Sequence, residues 1–332
     1  MNEIIVSISF LSGLGFLFGS ALCFASKKFY VEINEKEKKI NEILPGANCG
    51  ACGYSGCANY AAALAKDDNV PINLCTAGGE QVIKKIAEVL NKKAEKQEKL
   101  VAEILCKGKA KEKAKIKFEY KGINDCKFIH NQFNSYKLCN YGCLECGNCY
   151  RVCKFNAIEY DSKNPSIPKI KIENCVGCGA CVKECPKKII VLRPLLNHDV
   201  HIKCSNKDIG KIAKTLCDVA CIGCGLCAKK CPVNAITIEN NLAKIDYSKC
   251  VNCGKCVEVC PIKPEKVIID YKTKRGKAEI NDNCKGCSLC AKKCPVNAIE
   301  GKLKEKFKVD ESKCIGCEIC VQVCKFKAID IK

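Results

Sequence analysis

The chain has 332 residues, 34 of them cysteine, with 56 Lys and Arg against 36 Asp and Glu for a formal charge of +20, no Trp and three His. His130, His198 and His201 stand in no metal-pair or triad spacing, so ordinary acid–base and nucleophilic catalysis lack their usual groups. No Gly-x-Gly-x-x-Gly loop follows a strand and no aromatic pattern accompanies the positive charge, which argues against a dinucleotide-binding domain and a nucleic-acid surface.

The N-terminus carries 22 uncharged residues, Ile4 to Ala25. As a helix they span about 33 Å, enough for a hydrocarbon core of about 30 Å, and predict a transmembrane anchor over residues 1–27. A cleaved signal peptide would open with positive charge and a shorter apolar run, whereas this chain starts Met1-Asn2-Glu3. Leu22 before Cys23 does not suit a lipoprotein site, so Cys23 reads as a helix residue without a cofactor. Lys27, Lys28, Lys36, Lys38 and Lys39 follow the span and predict that the rest of the chain faces the cytoplasm, whose reducing conditions suit thiolates. Gly15 and Gly19 form a GxxxG pattern that lets a partner helix approach.

Residues 28–92 read as a small helical domain holding one [4Fe-4S] cluster. Its signal is the run from Leu44 to Cys57, LPGANCGACGYSGC, with Cys49, Cys52 and Cys57 completed by Cys75. Gly46, Gly50, Gly53 and Gly56 let the backbone wrap tightly and aim amides at sulfur. Ala58 to Ala65 predicts a short helix, and Glu80 to Lys92 an amphipathic one with Val82, Ile83, Ile86, Val89 and Leu90 on one side. Residues 84–121 then carry 13 Lys against 6 Glu, and 93–138 reads as a solvated Lys-rich linker.

From there the run Cys-x2-Cys-x2-Cys-x3-Cys occurs six times, the spacing of two-cluster ferredoxins in which the fourth Cys reaches across to the neighbouring cube. The runs therefore work in pairs and predict three modules. Module 1 (139–195) holds Cys143, Cys146 and Cys149 with Cys185, and Cys175, Cys178 and Cys181 with Cys153. Module 2 (196–272) holds Cys221, Cys224 and Cys227 with Cys260, and Cys250, Cys253 and Cys256 with Cys231. Module 3 (273–332) holds Cys284, Cys287 and Cys290 with Cys324, and Cys314, Cys317 and Cys320 with Cys294. Pro follows the fourth Cys except at Lys154 and Lys325, which lack only the turn residue. A disulfide scaffold would be short and irregularly spaced, and zinc sites separate their Cys-x2-Cys pairs by a dozen or more residues.

So little apolar material surrounds the runs that seven clusters should themselves act as the core, leaving the apo chain largely unfolded. Ala235 to Ile238, the turn Asn240-Asn241 and Leu242 to Ile245 read as a hairpin. The predicted fold class is α+β: an N-terminal transmembrane helix, a small helical [4Fe-4S] domain and three tandem two-cluster ferredoxin-like modules.

One membrane helix, the LPGANCGACGYSGC motif with a later Cys, and tandem ferredoxins together resemble the B subunit of Rnf-type electron transport complexes, the membrane-bound ferredoxin:NAD oxidoreductases. The resemblance implies a [4Fe-4S] cluster on Cys49, Cys52, Cys57 and Cys75 and further clusters on the ferredoxin cysteines. It also implies a non-catalytic relay component that accepts electrons from reduced soluble ferredoxin and passes them to other membrane and soluble subunits, coupled to Na+ or H+ transport. Shorter members of that family have one two-cluster module where this chain has three. The runner-up is a polyferredoxin subunit of another membrane oxidoreductase, of hydrogenase or formate dehydrogenase type.

The charge fits a cluster protein. Each oxidised cube with four thiolates is formally about −2, so seven bring +20 to about +6, and their reduction to about −1. The remaining basic surface would suit an acidic ferredoxin.

Cys106, Cys126, Cys139, Cys204 and Cys217 are left over. Cys126-x12-Cys139-x3-Cys143 recurs as Cys204-x12-Cys217-x3-Cys221. The repeat predicts that Cys126, Cys139, Cys204 and Cys217 converge on an extra tetrathiolate site, an eighth [4Fe-4S] cluster or a structural zinc, against the alternative of buried small side chains.

Overall fold

A computed structural model describes residues 2–28, 34–94, 99–195, 199–263, 265–271 and 275–332; His198 and the expected boundaries at 196 and 272–273 lie outside them. Helix α1, Asn2–Lys28, is about 40 Å long at 1.5 Å per residue. Its stretch Phe10–Lys28 is long and apolar enough to cross a membrane and touches none of the core. Phe16 is 78% exposed there, with Phe10, Leu11 and Leu22 each 71% exposed, an apolar surface that water does not tolerate but lipid does.

Three helices build the next unit: α2, Glu35–Ile43, α3, Cys57–Lys66, and α4, Gly79–Leu90. The expected periodicity of α4 holds, since Ile83, Ile86 and Ala87 are buried and Val82, Val89 and Leu90 pack at their edge. Asn91, in the left-handed conformation, ends it. Ile40 of α2 and Tyr60, Ala61 and Leu64 of α3 complete the core, with Cys75 buried among them.

The strands are β1 (Leu100–Ile104), β2 (Ile158–Glu159), β3 (Lys169–Ile170), β4 (Ile190–Pro194), β5 (Val200–Ile202), β6 (Ile236–Glu239), β7 (Leu242–Ile245), β8 (Ile268–Asp270), β9 (Ala278–Ile280), β10 (Ile299–Glu300), β11 (Lys308–Val309) and β12 (Ile329–Ile331). They make one design three times. A strand before the first cysteine run pairs antiparallel with one after the second, β1 with β4, β5 with β8 and β9 with β12. A hairpin between the runs supplies β2 with β3, β6 with β7 and β10 with β11. The predicted β6–β7 hairpin turns at Asn240 and Asn241, whose φ values of 48° and 59° suit a two-residue primed turn.

The segment 93–138 departs from its expected role as a linker. Leu100–Ile104 is the first strand of module 1, with Val101, Ala102 and Ile104 buried against β4. Residues 113–117 lie between the two modules and bond to both. Lys115 N–H donates to Leu216 O at 3.0 Å and Asp218 N–H to Lys113 O at 2.8 Å, while Lys117 N–H reaches Tyr136 O at 2.7 Å and Leu138 N–H reaches Lys115 O at 2.8 Å. The lysine-rich composition hid this because most of the lysine heads stay at the surface, Lys137 apart, while the backbone and alternate apolar side chains do the joining.

Charge joins modules 1 and 2 as well. Buried Glu103 of β1 accepts from Arg193 of β4 at 3.0 Å and pairs with Lys203 beyond β5. Glu265 takes both Lys107 and Lys113 at 3.0 Å. Removing one partner of the buried Glu103 group would leave an uncompensated charge, at about 3–5 kcal/mol.

Candidate metal centres

In the N-terminal unit the Gly-rich loop is shaped by Asn48. Its Oδ1 accepts Cys57 N–H at 2.8 Å, covering the start of α3, and its Nδ2 donates to Gly46 O at 3.2 Å. A Cβ at Gly56 would stand 2.9 Å from that Oδ1, so the loop requires glycine there. Burial raises the Cys75 thiol, and the facing Cys57, Cys49 and Cys52 raise it further, so the four expected cysteines do converge.

Across the modules the cysteine loops share two local devices. The residue before the second cysteine turns through positive φ, as at Gly177 (66°) and Gly223 (62°), where a Cβ would meet a backbone oxygen of Leu100 or Asn241 at 2.5 Å. After the fourth cysteine, a left-handed residue turns the next amide onto sulfur. Ala157, Ala235, Ala298 and Ala328 N–H donate to Cys153, Cys231, Cys294 and Cys324 Sγ at 3.4, 3.3, 3.2 and 3.3 Å. Lys154 and Lys325 therefore leave this turn intact despite the missing proline.

The reach across each module is present. Cys153 faces Cys178 and Cys181, Cys231 faces Cys250 and Cys256, and Cys294 faces Cys317. Burial first, then these neighbouring sulfurs, push Cys181 and Cys256 up to about 12, so metal loading must displace protons. One cavity is lined by Cys221, Cys224, Cys227 and Cys260, and another by Cys294, Cys314, Cys317 and Cys320. In the last site, Cys284, Cys290 and Cys324 pack into one cluster of side chains, and Cys287, beside Cys290, is exposed. All 34 cysteines are free thiols, and among the described residues no group of three or more His, Cys, Asp or Glu could hold a single metal ion.

Module 1 differs. Its cavity is lined by Cys143, Cys149, Cys185 and Cys126, and Cys146 is not among the lining residues. Cys126 opens helix α5, Cys126–Phe133, where Asp125 caps the N-terminus and Asn148 Oδ1 accepts Cys126 N–H at 2.8 Å. Cys146 packs with Ile129 and Leu144, the group against which Cys126 also lies, and its Sγ donates to Leu144 O at 3.1 Å. The two side chains hydrogen-bond each other, which lowers the Cys126 thiol and raises that of Cys146.

The extra-site cysteines are likewise partly regrouped. Cys139, Cys204 and Cys217 line one cavity, but with Cys106 rather than Cys126.

Comparison with known proteins agrees with this architecture. A "4Fe-4S dicluster domain" family matches residues 142–189, 220–263 and 283–328, a second family of that description matches 243–301, and a "Putative Fe-S cluster" family matches 44–77. The B subunit of the Na+-translocating ferredoxin:NAD+ oxidoreductase complex of Acetobacterium woodii is 40% identical over 91% of this chain and 79% of its own length. The B subunit of the proton-translocating complex of Clostridium ljungdahlii is 38% identical over 75% and 86%, and that of the ion-translocating oxidoreductase complex of Methanosarcina acetivorans 37% over 90% and 99%. The chain belongs to the family of Rnf complex B subunits.

Within this Rnf B subunit, Cys126 and Cys106 are the residues that motif spacing missed. Strand pairing, not spacing, relates Cys106 to Cys204: it stands two residues past β1, as Cys204 stands two residues past β5. His201, expected at most to have a local role, is fully buried, its Nδ1 2.7 Å from Tyr247 Oη.

Proposed function

We propose that this Rnf B subunit takes electrons from reduced soluble ferredoxin at its C-terminal module and relays them to the membrane end of the complex, where other subunits couple NAD+ reduction to Na+ or H+ transport. When bound, each [4Fe-4S] cluster supplies a one-electron redox centre. The proposed ligand sets are Cys49, Cys52, Cys57 and Cys75, then the crossed sets of the three modules, with Cys126 joining Cys143, Cys149 and Cys185 in place of Cys146.

The observation that carries this reading is how the N-terminal loop docks. Lys154 Nζ donates to Ala47 O at 3.3 Å, and Cys49 faces Cys178. A cysteine site tethered to the membrane helix thus abuts the first ferredoxin module. At the other junction, Arg275 Nε donates to Asn252 O at 2.7 Å in the loop of Cys250 and Cys253. Its Cβ lies so close to Gly316, in the loop of Cys314 and Cys317, that a Cβ there would meet it at 2.8 Å. Modules 2 and 3 therefore meet loop to loop. At the far end Cys287 is exposed, among exposed Lys285, Lys292, Lys293, Lys302 and Lys304, a basic rim that suits an acidic ferredoxin.

Lys27, Lys28, Lys36, Lys38 and Lys39 beyond the helix support a cytoplasmic placement of the iron–sulfur part. Deleting residues 1–26 should give a soluble protein that keeps its iron, because no proposed ligand lies there; loss of most of the iron would show that anchor and cluster domains are inseparable. The functional reading is tested by isolating the chain from membranes under anaerobic conditions. It should co-purify with a soluble partner that binds flavin and NAD, and reduced ferredoxin should bleach it. A hydrogenase or formate dehydrogenase partner in its place would overturn the assignment.

A further inference from the structure

At the junction of modules 1 and 2 one cavity is lined by four cysteines, Cys106, Cys139, Cys204 and Cys217, just as four cysteines line each of the cavities found within the modules. We propose that these four thiolates hold an additional [4Fe-4S] cluster bridging the two modules.

Each module contributes in the same way. Leu105 N–H donates to Ile189 O at 2.8 Å, and Lys203 N–H donates to Val267 O at 2.9 Å, so Cys106 and Cys204 follow equivalent ladder positions. Cys139 and Cys217 each stand four residues before their module's first run. The site is thus two half-sites related by the repeat, brought face to face by the strap at 113–117, whose Ala114 bridges Cys217.

These sulfurs are met by hydrogen-bond donors. Every one accepts a backbone amide: Cys106 from Cys143 at 3.4 Å, Cys204 from Asn206 at 3.4 Å and from Cys221, Cys139 from Tyr141 and Gly142, and Cys217 from Val219. Buried Asn206 adds its Nδ2 to Cys139 Sγ at 3.6 Å. Such donors stabilise anionic sulfur and tune a cluster. Lys137 is fully buried beside the site, its Nζ 2.8 Å from Gly108 O and 2.6 Å from Glu145 Oε1. Paired with Glu145 in this way, Lys137 sits two residues before Cys139 as a buried cation beside the site. The backbone also makes room: a Cβ at Gly108 would stand 2.7 Å from Cys217 Sγ.

A zinc ion would draw four sulfurs around one point at about 2.3 Å each. Among the described residues no three such side chains are gathered that tightly, whereas four cysteines do line one cavity. Its position gives it a purpose, because Cys143 and Cys221 are proposed ligands of the two flanking cubes and both donate their amides to its sulfurs. The site fills the interval between modules 1 and 2 in the relay.

The test is metal and sulfide content of the full-length chain, purified anaerobically in detergent, with and without Cys106→Ser and Cys204→Ser together. The proposal expects about 32 irons and no zinc in the unaltered protein, falling to about 28 in the double variant with the EPR signals of the other clusters kept. Alkylation of the unaltered protein gives a second measure that does not depend on a variant folding. Cys106, Cys139, Cys204 and Cys217 should resist labelling until iron is removed, then react together. About 28 irons with one zinc, or about 28 irons with these four thiols labelled in the native protein, overturns the extra cluster and leaves the relay reading standing. Absence of iron from the whole chain overturns both.

Discussion

Replacing Cys52 by Ala should leave the ferredoxin modules reducible by reduced ferredoxin while NAD+ reduction by the assembled complex falls to background. The reason is positional. Cys52 belongs to the site closest to the membrane helix, and its loop is the part of the chain docked beside Cys178. Electrons taken up at the lysine-rimmed Cys287 end would reach the docked modules and stop. The assay is ferredoxin-dependent NADH formation on complexes matched for subunit content, with cluster bleaching followed in parallel. Undiminished NADH formation would mean that the membrane partners draw electrons from a ferredoxin module directly.

The second large effect separates two cysteines that spacing alone would rank the other way. Cys146→Ala should leave iron content and spectra unchanged, because its sulfur donates to Leu144 O and does not line the module's four-cysteine cavity, whereas Cys126 does. Cys126→Ala should either remove about four irons or shift the EPR signal of one cluster as Cys146 rotates into its place. The pair altered together should lose the four irons outright. Iron analysis with EPR on the three variants decides the matter: loss of iron in Cys146→Ala with a silent Cys126→Ala would restore the uniform motif.

The loops that gather Cys260 beside Cys221, Cys224 and Cys227, and Cys294 beside Cys314, Cys317 and Cys320, were legible in the sequence because cysteines three residues apart sit on one loop, whatever the rest of the chain does. The helices of the N-terminal unit were legible from periodicity, with α4 found at Gly79–Leu90 against an expected Glu80–Lys92. Cys126 was not, since its role depends on Asp125 and Asn148 fixing the start of α5 over a loop far along the chain. The repeat of Cys126 and Cys139 in Cys204 and Cys217 misled for a physical reason. Cys126 opens a helix that ends well before Cys139, whereas the corresponding helix, Gly210–Leu216, runs directly into Cys217. Equal spacing therefore puts Cys126 and Cys204 in different places, and the true counterpart of Cys204 is Cys106, fixed by strand pairing that spacing does not encode. Likewise, lysine content described the surface of residues 99–138 and said nothing of the pairing of Leu100–Ile104 with Ile190–Pro194.

The central claim, that this chain relays electrons from ferredoxin toward the membrane, is tested most directly by freeze-quench EPR on the assembled complex mixed with reduced ferredoxin in the absence of NAD+. The account predicts that reduced [4Fe-4S] signals, assigned to this chain through its cysteine variants, appear before any other centre is reduced, and that they decay when NAD+ is added. Reduction of the flavin or membrane centres while this chain's clusters stay oxidised would contradict it.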